Sequence, residues 1–100
     1  MKRQGDVLLV PVRDIPKAAK AQPFNGSVVL AYGEATGHAH TVDAIHAELS
    51  LAEGGLTYLT VRELTEVVHQ EHAPLVLEPG KYQVIRQREY TPEAIRNVAD

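Results

Sequence analysis

The sequence contains no cysteine, and this absence excludes three kinds of chemistry. There can be no disulfide framework, no thiolate metal ligand and no cysteine nucleophile. Serine is nearly as scarce, because Ser27 and Ser50 are the only two and neither lies in a nucleophile-elbow pattern. Phosphate-binding loops and dinucleotide fingerprints are also missing. A metal site in this chain would therefore depend on imidazole, carboxylate or water ligands.

Long hydrophobic runs are absent as well. The apolar run near the start extends only from Val7 to Val10 before Pro11 interrupts it, which is too short for a signal-peptide core or a transmembrane helix. We therefore expect a soluble, cytoplasmic protein without membrane association. The formal net charge of -3 gives no global attraction to nucleic acid, although a local basic patch is compatible with it.

The length and composition are those of one globular domain. The chain has 100 residues, of which 44% are hydrophobic and 23% are charged. A chain of this size can bury about two thirds of its unfolded surface around one core. No repeat, low-complexity tract or shift in composition divides it, so we expect a single domain over residues 1–100.

Short apolar stretches separated by turn signals run through most of the sequence. Glu53-Gly54-Gly55 predicts a hairpin turn and Pro79-Gly80 a type II turn, while Pro11 marks the first strand as an edge strand or a strand with a bulge. Residues 14–27 predict a surface loop closed by an Asn-Gly turn. The predicted strands cover residues 6–13, 27–32, 40–47, 48–52, 56–62, 66–70, 75–77 and 81–90.

The end of the sequence has the signals of a short helix. Thr91 is suited to the N-cap position, Pro92 to the first helical position, and Glu93 to the favourable end of the helix dipole. The helix would cover about residues 92–98. Many short strands followed by one helix predict an all-β fold, a small barrel or jelly roll with a short C-terminal helix.

Four of the five histidines fall in two clusters, and these predict a metal site. In an extended strand, His38 and His40 point to the same face about 7 Å apart, and His69 and Glu71 share a face by the same rule. His72 is an alternative ligand if the chain turns before the following proline. Three imidazoles and a carboxylate, or two imidazoles and a carboxylate, suit a divalent ion.

Neither the identity of the ion nor its role follows from the spacing. Zinc, iron, nickel and manganese all accept these ligands, and the ion can be structural or catalytic. Glu34 and Glu71 are able to act as acid or base beside a bound ion, so the question of enzymatic activity stays open. Tyr82 is a candidate outer-shell hydrogen-bond donor, and His46 is interpreted as structural or exposed.

The last predicted strand supports a second hypothesis, of a different functional class. Tyr82, Arg86, Arg88 and Tyr90 would lie on one face, where aromatic rings and guanidinium groups alternate as on strands that bind single-stranded RNA or DNA. A third hypothesis is a protein-binding module or homo-oligomer that adds a strand at Val7–Val12.

Part of the sequence resembles the cupin pattern. In that pattern a glycine-led His-x-His strand, here Gly33 to His40, and a later proline-glycine turn, here Pro79-Gly80, bracket a metal in a small jelly roll. The resemblance implies a cupin-like, metal-binding β-barrel. The glutamate that the pattern places shortly after the histidine pair is missing, and Tyr82 replaces the histidine after the turn.

Over nearly its full length the chain also resembles a group of small uncharacterised bacterial proteins. The shared stretches are Gln4-Gly5-Asp6-Val7, Gly33-Glu34, Thr36-Gly37-His38-Ala39-His40, His69 to Pro74, and Arg86-Gln87-Arg88-Glu89-Tyr90 with Pro92. This resemblance implies a coherent family to which no established activity is attached.

Overall fold

A computed structural model describes residues 1–22, 26–32 and 38–86. The predicted helix at 92–98 lies outside these residues, as do Arg88, Tyr90 and the glycine-flanked turn at 33–37. The prediction of a C-terminal helix is therefore neither supported nor opposed by the fold.

The described residues form ten strands and one short 3-10 helix at Glu53–Gly55. The strands are β1 (Lys2–Gln4), β2 (Val7–Val12), β3 (Lys20–Ala21), β4 (Ser27–Tyr32), β5 (Ala39–Asp43), β6 (Ala47–Leu51), β7 (Thr57–Val61), β8 (Thr65–Val67), β9 (Leu75–Leu77) and β10 (Gly80–Arg86). Most follow the predicted positions within a few residues, and the predicted loop at 14–27 contains the two-residue β3.

The strands make one large sheet and two small ones. The large sheet has the order β1-β2-β10-β7-β6-β3, while β4 pairs with β5 and β8 pairs with β9. All of these pairs are antiparallel. Two backbone hydrogen bonds between Thr41 and Val68, of 3.0 and 2.9 Å, join β5 to the end of β8. This junction brings the two histidine-bearing stretches together.

The all-β prediction is confirmed, but the predicted barrel is wrong for the part of the chain that the structure describes. The large sheet is open, with β1 at one edge and β3 at the other. Closing a sheet into a barrel requires the two edge strands to pair along their length. Because β3 contains only Lys20 and Ala21, both exposed, it offers too little backbone for that pairing.

The core combines side chains from all three sheets. Leu9, Leu59 and Leu77 are fully buried, as are Val7, Val42 and Val67. Alternation along β5 turns Val42 and His40 inward together, since side chains two apart in a strand share a face. The core side of β5 therefore carries His40 near its start, and the candidate site lies around this side chain.

Candidate metal centre

Four segments meet at one end of the fold and carry the five predicted metal ligands. They are the turn between β1 and β2, the start of β5, the 68–74 loop between β8 and β9, and the end of β10. Arg86 is opposite Val7 in the pairing of β10 with β2, so its side chain reaches Asp6. Residues far apart in the sequence thus surround His40.

The rings of four histidines lie in contact or near contact. The distance between ring centroids is 4.4 Å for His40 and His69, 4.6 Å for His69 and His72, 5.5 Å for His38 and His69, and 6.0 Å for His40 and His72. Two imidazoles bound to one ion have centroids about 5 Å apart, because each nitrogen lies about 2.1 Å from the metal. The centroid distances are close to this value, but a shared ion also requires the ring nitrogens to point to one place.

Gln4 determines which nitrogen of His40 carries the hydrogen. The buried Gln4 side chain donates from Nε2 to the carbonyl oxygens of Val67 and Ala73, at 2.9 and 2.8 Å. Its Oε1 must then be the atom 2.8 Å from His40 Nδ1, and an amide oxygen only accepts. His40 Nδ1 is consequently the donor, and in the neutral ring Nε2 carries a lone pair.

The lone pair of His40 has a carboxylate oxygen as its neighbour. Asp6 Oδ1 lies 3.6 Å from His40 Nε2, and Asp6 Oδ2 accepts a 3.0 Å hydrogen bond from Arg86. Partial burial raises the pKa of Asp6, but the hydrogen bond and charge of Arg86 outweigh it and hold that pKa below its usual value. Asp6 is thus ionised at neutral pH, and two acceptor atoms face each other.

The histidines at the centre of the cluster resist protonation. Burial, followed by the neighbouring His69, lowers the pKa of His40, while the charge of Asp6 acts in the opposite direction. Desolvation and the charges of His72 and His38 also lower the pKa of His69. Imidazole must be neutral to bind a metal, so these shifts favour the ligating form at neutral pH.

Glu71 contacts the rings of His38 and His69 and orients both. Its Oε1 lies 2.8 Å from His38 Nδ1 and, as a carboxylate oxygen, accepts a hydrogen from it. In the neutral ring, Nε2 of His38 is then the nitrogen with the lone pair. The backbone N–H of Glu71 donates to His69 Nδ1 at 3.0 Å, so the neutral His69 carries its hydrogen on Nε2. His38 therefore has the tautomer of a Nε2 ligand, and His69 does not.

The side chains as they stand do not form a complete coordination sphere. Within residues 1–22, 26–32 and 38–86, no group of three or more His, Asp or Glu side chains is arranged to hold a metal ion. His69 would have to release the N–H of Glu71 before binding through Nδ1. A shallow cavity of about 230 Å³ borders His69, so this ring is reachable from solvent.

Gly5 makes room for His72. Its φ is +59°, a conformation that glycine adopts without strain, and a Cβ built at this position would lie 2.7 Å from His72 Nε2. The Gln4-Gly5-Asp6 turn therefore borders the site: Gln4 and Asp6 contact His40, and the absence of a side chain at Gly5 leaves room for His72.

The structure brings together five residues that the sequence predicts as metal ligands: His38, His40, His69, Glu71 and His72. Tyr82 is not among their contacts; it is buried and donates a 2.7 Å hydrogen bond to the carbonyl oxygen of Glu78. Gln4 and Asp6 lie at the site but are not among the residues predicted from the sequence, and Arg86 is predicted for a different surface. The shared Gln4-Gly5-Asp6-Val7 stretch was a signal for the first two.

The proposed nucleic-acid face has few of its predicted features in the described residues. Tyr82 is buried, and Arg86 is partly buried and bound to Asp6, so neither side chain is presented for stacking on a base. Arg88 and Tyr90 lie outside the described residues. Nucleic-acid binding stays a prediction.

Comparison with known protein families gives a match over most of the chain. A family model described as a domain of unknown function (DUF8820) matches residues 3–87, which include every described residue of the site. Neither the curated proteins nor the solved structures contain a match. Among the described residues there is also no helix with the length and apolar character to span a membrane.

Proposed function

The chain belongs to the domain of unknown function family DUF8820, whose name assigns no chemistry, and we propose from the geometry around His40 that it binds one divalent metal ion. The observation that carries the proposal is the pair formed by His40 Nε2 and Asp6 Oδ1, which are 3.6 Å apart. Both atoms accept when the ring is neutral and the carboxyl ionised, and a cation between them would be bound by both.

The spacing of this pair suits coordination. Nitrogen and oxygen ligands lie about 2.0–2.2 Å from zinc, so two of them in a tetrahedral arrangement are about 3.4 Å apart. The distance between His40 Nε2 and Asp6 Oδ1 exceeds this by only about 0.2 Å. Arg86 occupies the second oxygen of Asp6, and this favours binding through Oδ1 alone.

His38 supplies the next ligand in our proposal. Glu71 accepts from its Nδ1, as an outer-shell carboxylate does when it orients a metal-bound histidine. The resulting set of two histidines and one carboxylate leaves positions for His72, for His69 after rotation, or for water. Such sets suit zinc, iron, nickel and manganese, and the role of the ion, structural or catalytic, follows from its identity.

The partial cupin resemblance agrees with the choice of His38 and His40 as ligands. It does not account for Asp6, because the carboxylate here comes from the turn before β2 and not from a position after the histidine pair. We therefore propose a metal-binding domain whose ligand set differs from that pattern.

Elemental analysis by mass spectrometry of protein purified without a histidine tag tests the proposal. We expect close to one divalent ion per chain in the parent protein and none in the His38→Ala/His40→Ala double variant. His46→Ala is the matched control and should keep the ion. Circular dichroism of all three proteins separates loss of the metal from loss of the fold.

A metal-free parent protein would require a second measurement before the proposal is abandoned. Thermal unfolding with added zinc, iron, nickel or manganese reports binding, because a ligand bound only by the folded state raises the transition temperature. If none of these ions shifts the parent more than the double variant, the metal-binding function is wrong.

A further inference from the structure

We propose that Gln4 is the positioning residue of this site: one side-chain amide fixes the hydrogen of His40 on Nδ1 and holds both ends of the 68–74 loop. The metal-binding purpose of this arrangement rests on the function proposed above. The arrangement itself is a property of the metal-free protein and is testable without any ion.

The orientation of the Gln4 amide follows from its neighbours. An amide side chain has two hydrogens and one acceptor oxygen. Gln4 Nε2 lies 2.9 Å from the carbonyl oxygen of Val67 and 2.8 Å from that of Ala73, so both hydrogens have acceptors. The reversed amide would place its oxygen against two carbonyl oxygens, and this leaves only one orientation. Oε1 must therefore face His40 Nδ1 and accept from it.

Both ring nitrogens of His40 have an acceptor nearby, and Gln4 determines which nitrogen carries the hydrogen. A neutral imidazole has one N–H, but acceptors lie beside both ring nitrogens: Gln4 Oε1 at 2.8 Å from Nδ1 and Asp6 Oδ1 at 3.6 Å from Nε2. The hydrogen bond to Gln4 is the shorter and keeps the hydrogen away from Asp6. Without Gln4, the ionised carboxylate would attract the hydrogen to Nε2, and the nitrogen that faces Asp6 would lose its lone pair.

The same amide closes the loop that carries the second histidine cluster. Val67 is the last residue of β8, and Ala73 lies two residues before β9. Because one nitrogen binds both carbonyl oxygens, the two ends of the loop are held at the same point. The residues between them include His69 and His72, so Gln4 sets the position of these rings relative to His40.

Nuclear magnetic resonance of the metal-free protein, above about pH 8 where imidazole is neutral, tests the first part. Long-range ¹⁵N–¹H spectra distinguish the two tautomers of His40. We expect the Nδ1–H form in the parent and a change to the Nε2–H form in Gln4→Met, which keeps the side-chain length but has no amide. Gln22→Met is the control, because the Gln22 side chain donates to the exposed carbonyl of Lys20, away from the histidines.

A second variant separates the two roles of the amide. In Gln4→Glu the new carboxylate can accept from His40 Nδ1 but has no hydrogens for the two carbonyl oxygens. We expect this variant to keep the Nδ1–H tautomer while the backbone amide hydrogens of Glu71 and Ala39 exchange about tenfold faster. Both donate to side chains of the loop, the Glu71 N–H to His69 Nδ1 and the Ala39 N–H to Gln70 Oε1. In Gln22→Met neither rate should change.

Each result decides the proposal. An Nε2–H tautomer in the parent, an unchanged tautomer in Gln4→Met, or unchanged exchange in both Gln4 variants would overturn it. If Gln4→Met does not fold, the parent tautomer and Gln4→Glu give the decision.

Zinc titration adds the link to function: Gln4→Met should bind zinc about 10- to 100-fold more weakly than the parent. A parent that binds none of zinc, iron, nickel and manganese would disprove the metal site and leave the tautomer result standing.

Discussion

The two ends of β5 carry histidines in opposite environments. At the start, the His40 side chain is only 5% exposed, donates to a buried amide and lies 3.6 Å from the ionised Asp6. Beyond the other end, His46 is 32% exposed and its Nδ1 lies 3.3 Å from Glu63, whose side chain is 73% exposed. Although the ring is partly exposed, Nδ1 itself is buried; its contact with Glu63 lacks hydrogen-bond geometry, and it has no other hydrogen-bond partner among the described residues.

The difference between these ends shows that a carboxylate neighbour alone does not make a site. At the His46 pair the carboxylate of Glu63 is mostly exposed, and a pair with a solvated partner stabilises a protein by only about 0–1 kcal/mol because water competes for the carboxylate. At His40, burial removes that competition and an uncharged amide fixes the ring, so the carboxylate faces a lone pair. The combination of burial, orientation and a second acceptor is what distinguishes the candidate site.

The largest expected effect is loss of metal binding on removing His40. His40→Ala removes the ligand that faces Asp6, so we expect no measurable zinc binding in a calorimetric titration. It also leaves Gln4 Oε1 buried without its donor, which should lower the free energy of unfolding by about 1–3 kcal/mol. His46→Ala should change neither quantity by much, and equal losses in the two variants would remove the distinction between the two ends of β5.

The second prediction concerns the carboxylate of the site. Asp6→Asn keeps the size of the side chain and an oxygen for Arg86 but removes the negative charge. We expect zinc affinity to fall by more than the roughly 10- to 100-fold typical of losing an outer-shell partner. Asp14→Asn is the control, since Asp14 forms an exposed 3.4 Å ion pair with Lys81. If calorimetry gives equal affinities for the two variants, Asp6 is not a ligand.

The third prediction tests the close approach of the His72 side chain to Gly5. Gly5→Ala and Gly54→Ala both place alanine at a positive φ, +59° and +80°, and each should cost about 1 kcal/mol in urea unfolding. Only the Cβ at Gly5 would meet another side chain, His72, because nothing lies within 4 Å of the position at Gly54. Zinc affinity should therefore fall in Gly5→Ala alone, and an equal fall in both would exclude a role for this contact.

Sequence patterns predicted the strands and the histidine partners better than they predicted the rest of the site. His38 and His40 are predicted as a pair because period-two alternation fixes which residues share a face, and the cluster from His69 to His72 is predicted because it concentrates ligand types. Asp6 and Gln4 depend on contacts between residues more than thirty positions apart, as between Gln4 and His40. No local pattern encodes such a contact. The prediction of a closed barrel is wrong for the same reason, since the pairing of edge strands is a property of the whole sheet.

The smallest expected effect is a pH dependence of stability in the metal-free protein. The fold lowers the pKa of His40 and of His69, so below the ordinary histidine value of about 6.5 the unfolded chain binds more protons than the folded one. The free energy of unfolding should therefore fall as the pH drops below about 6.5. Asp6 acts in the same direction at lower pH, because its lowered pKa stabilises the fold only while it is ionised. Urea unfolding at a series of pH values should give a shallower fall for His40→Gln than for the parent. A steeper fall for His40→Gln would mean that the His40 ring accepts a proton more readily in the folded protein than in the unfolded chain, and the acceptor pair at Asp6 would then bind a proton in place of a metal.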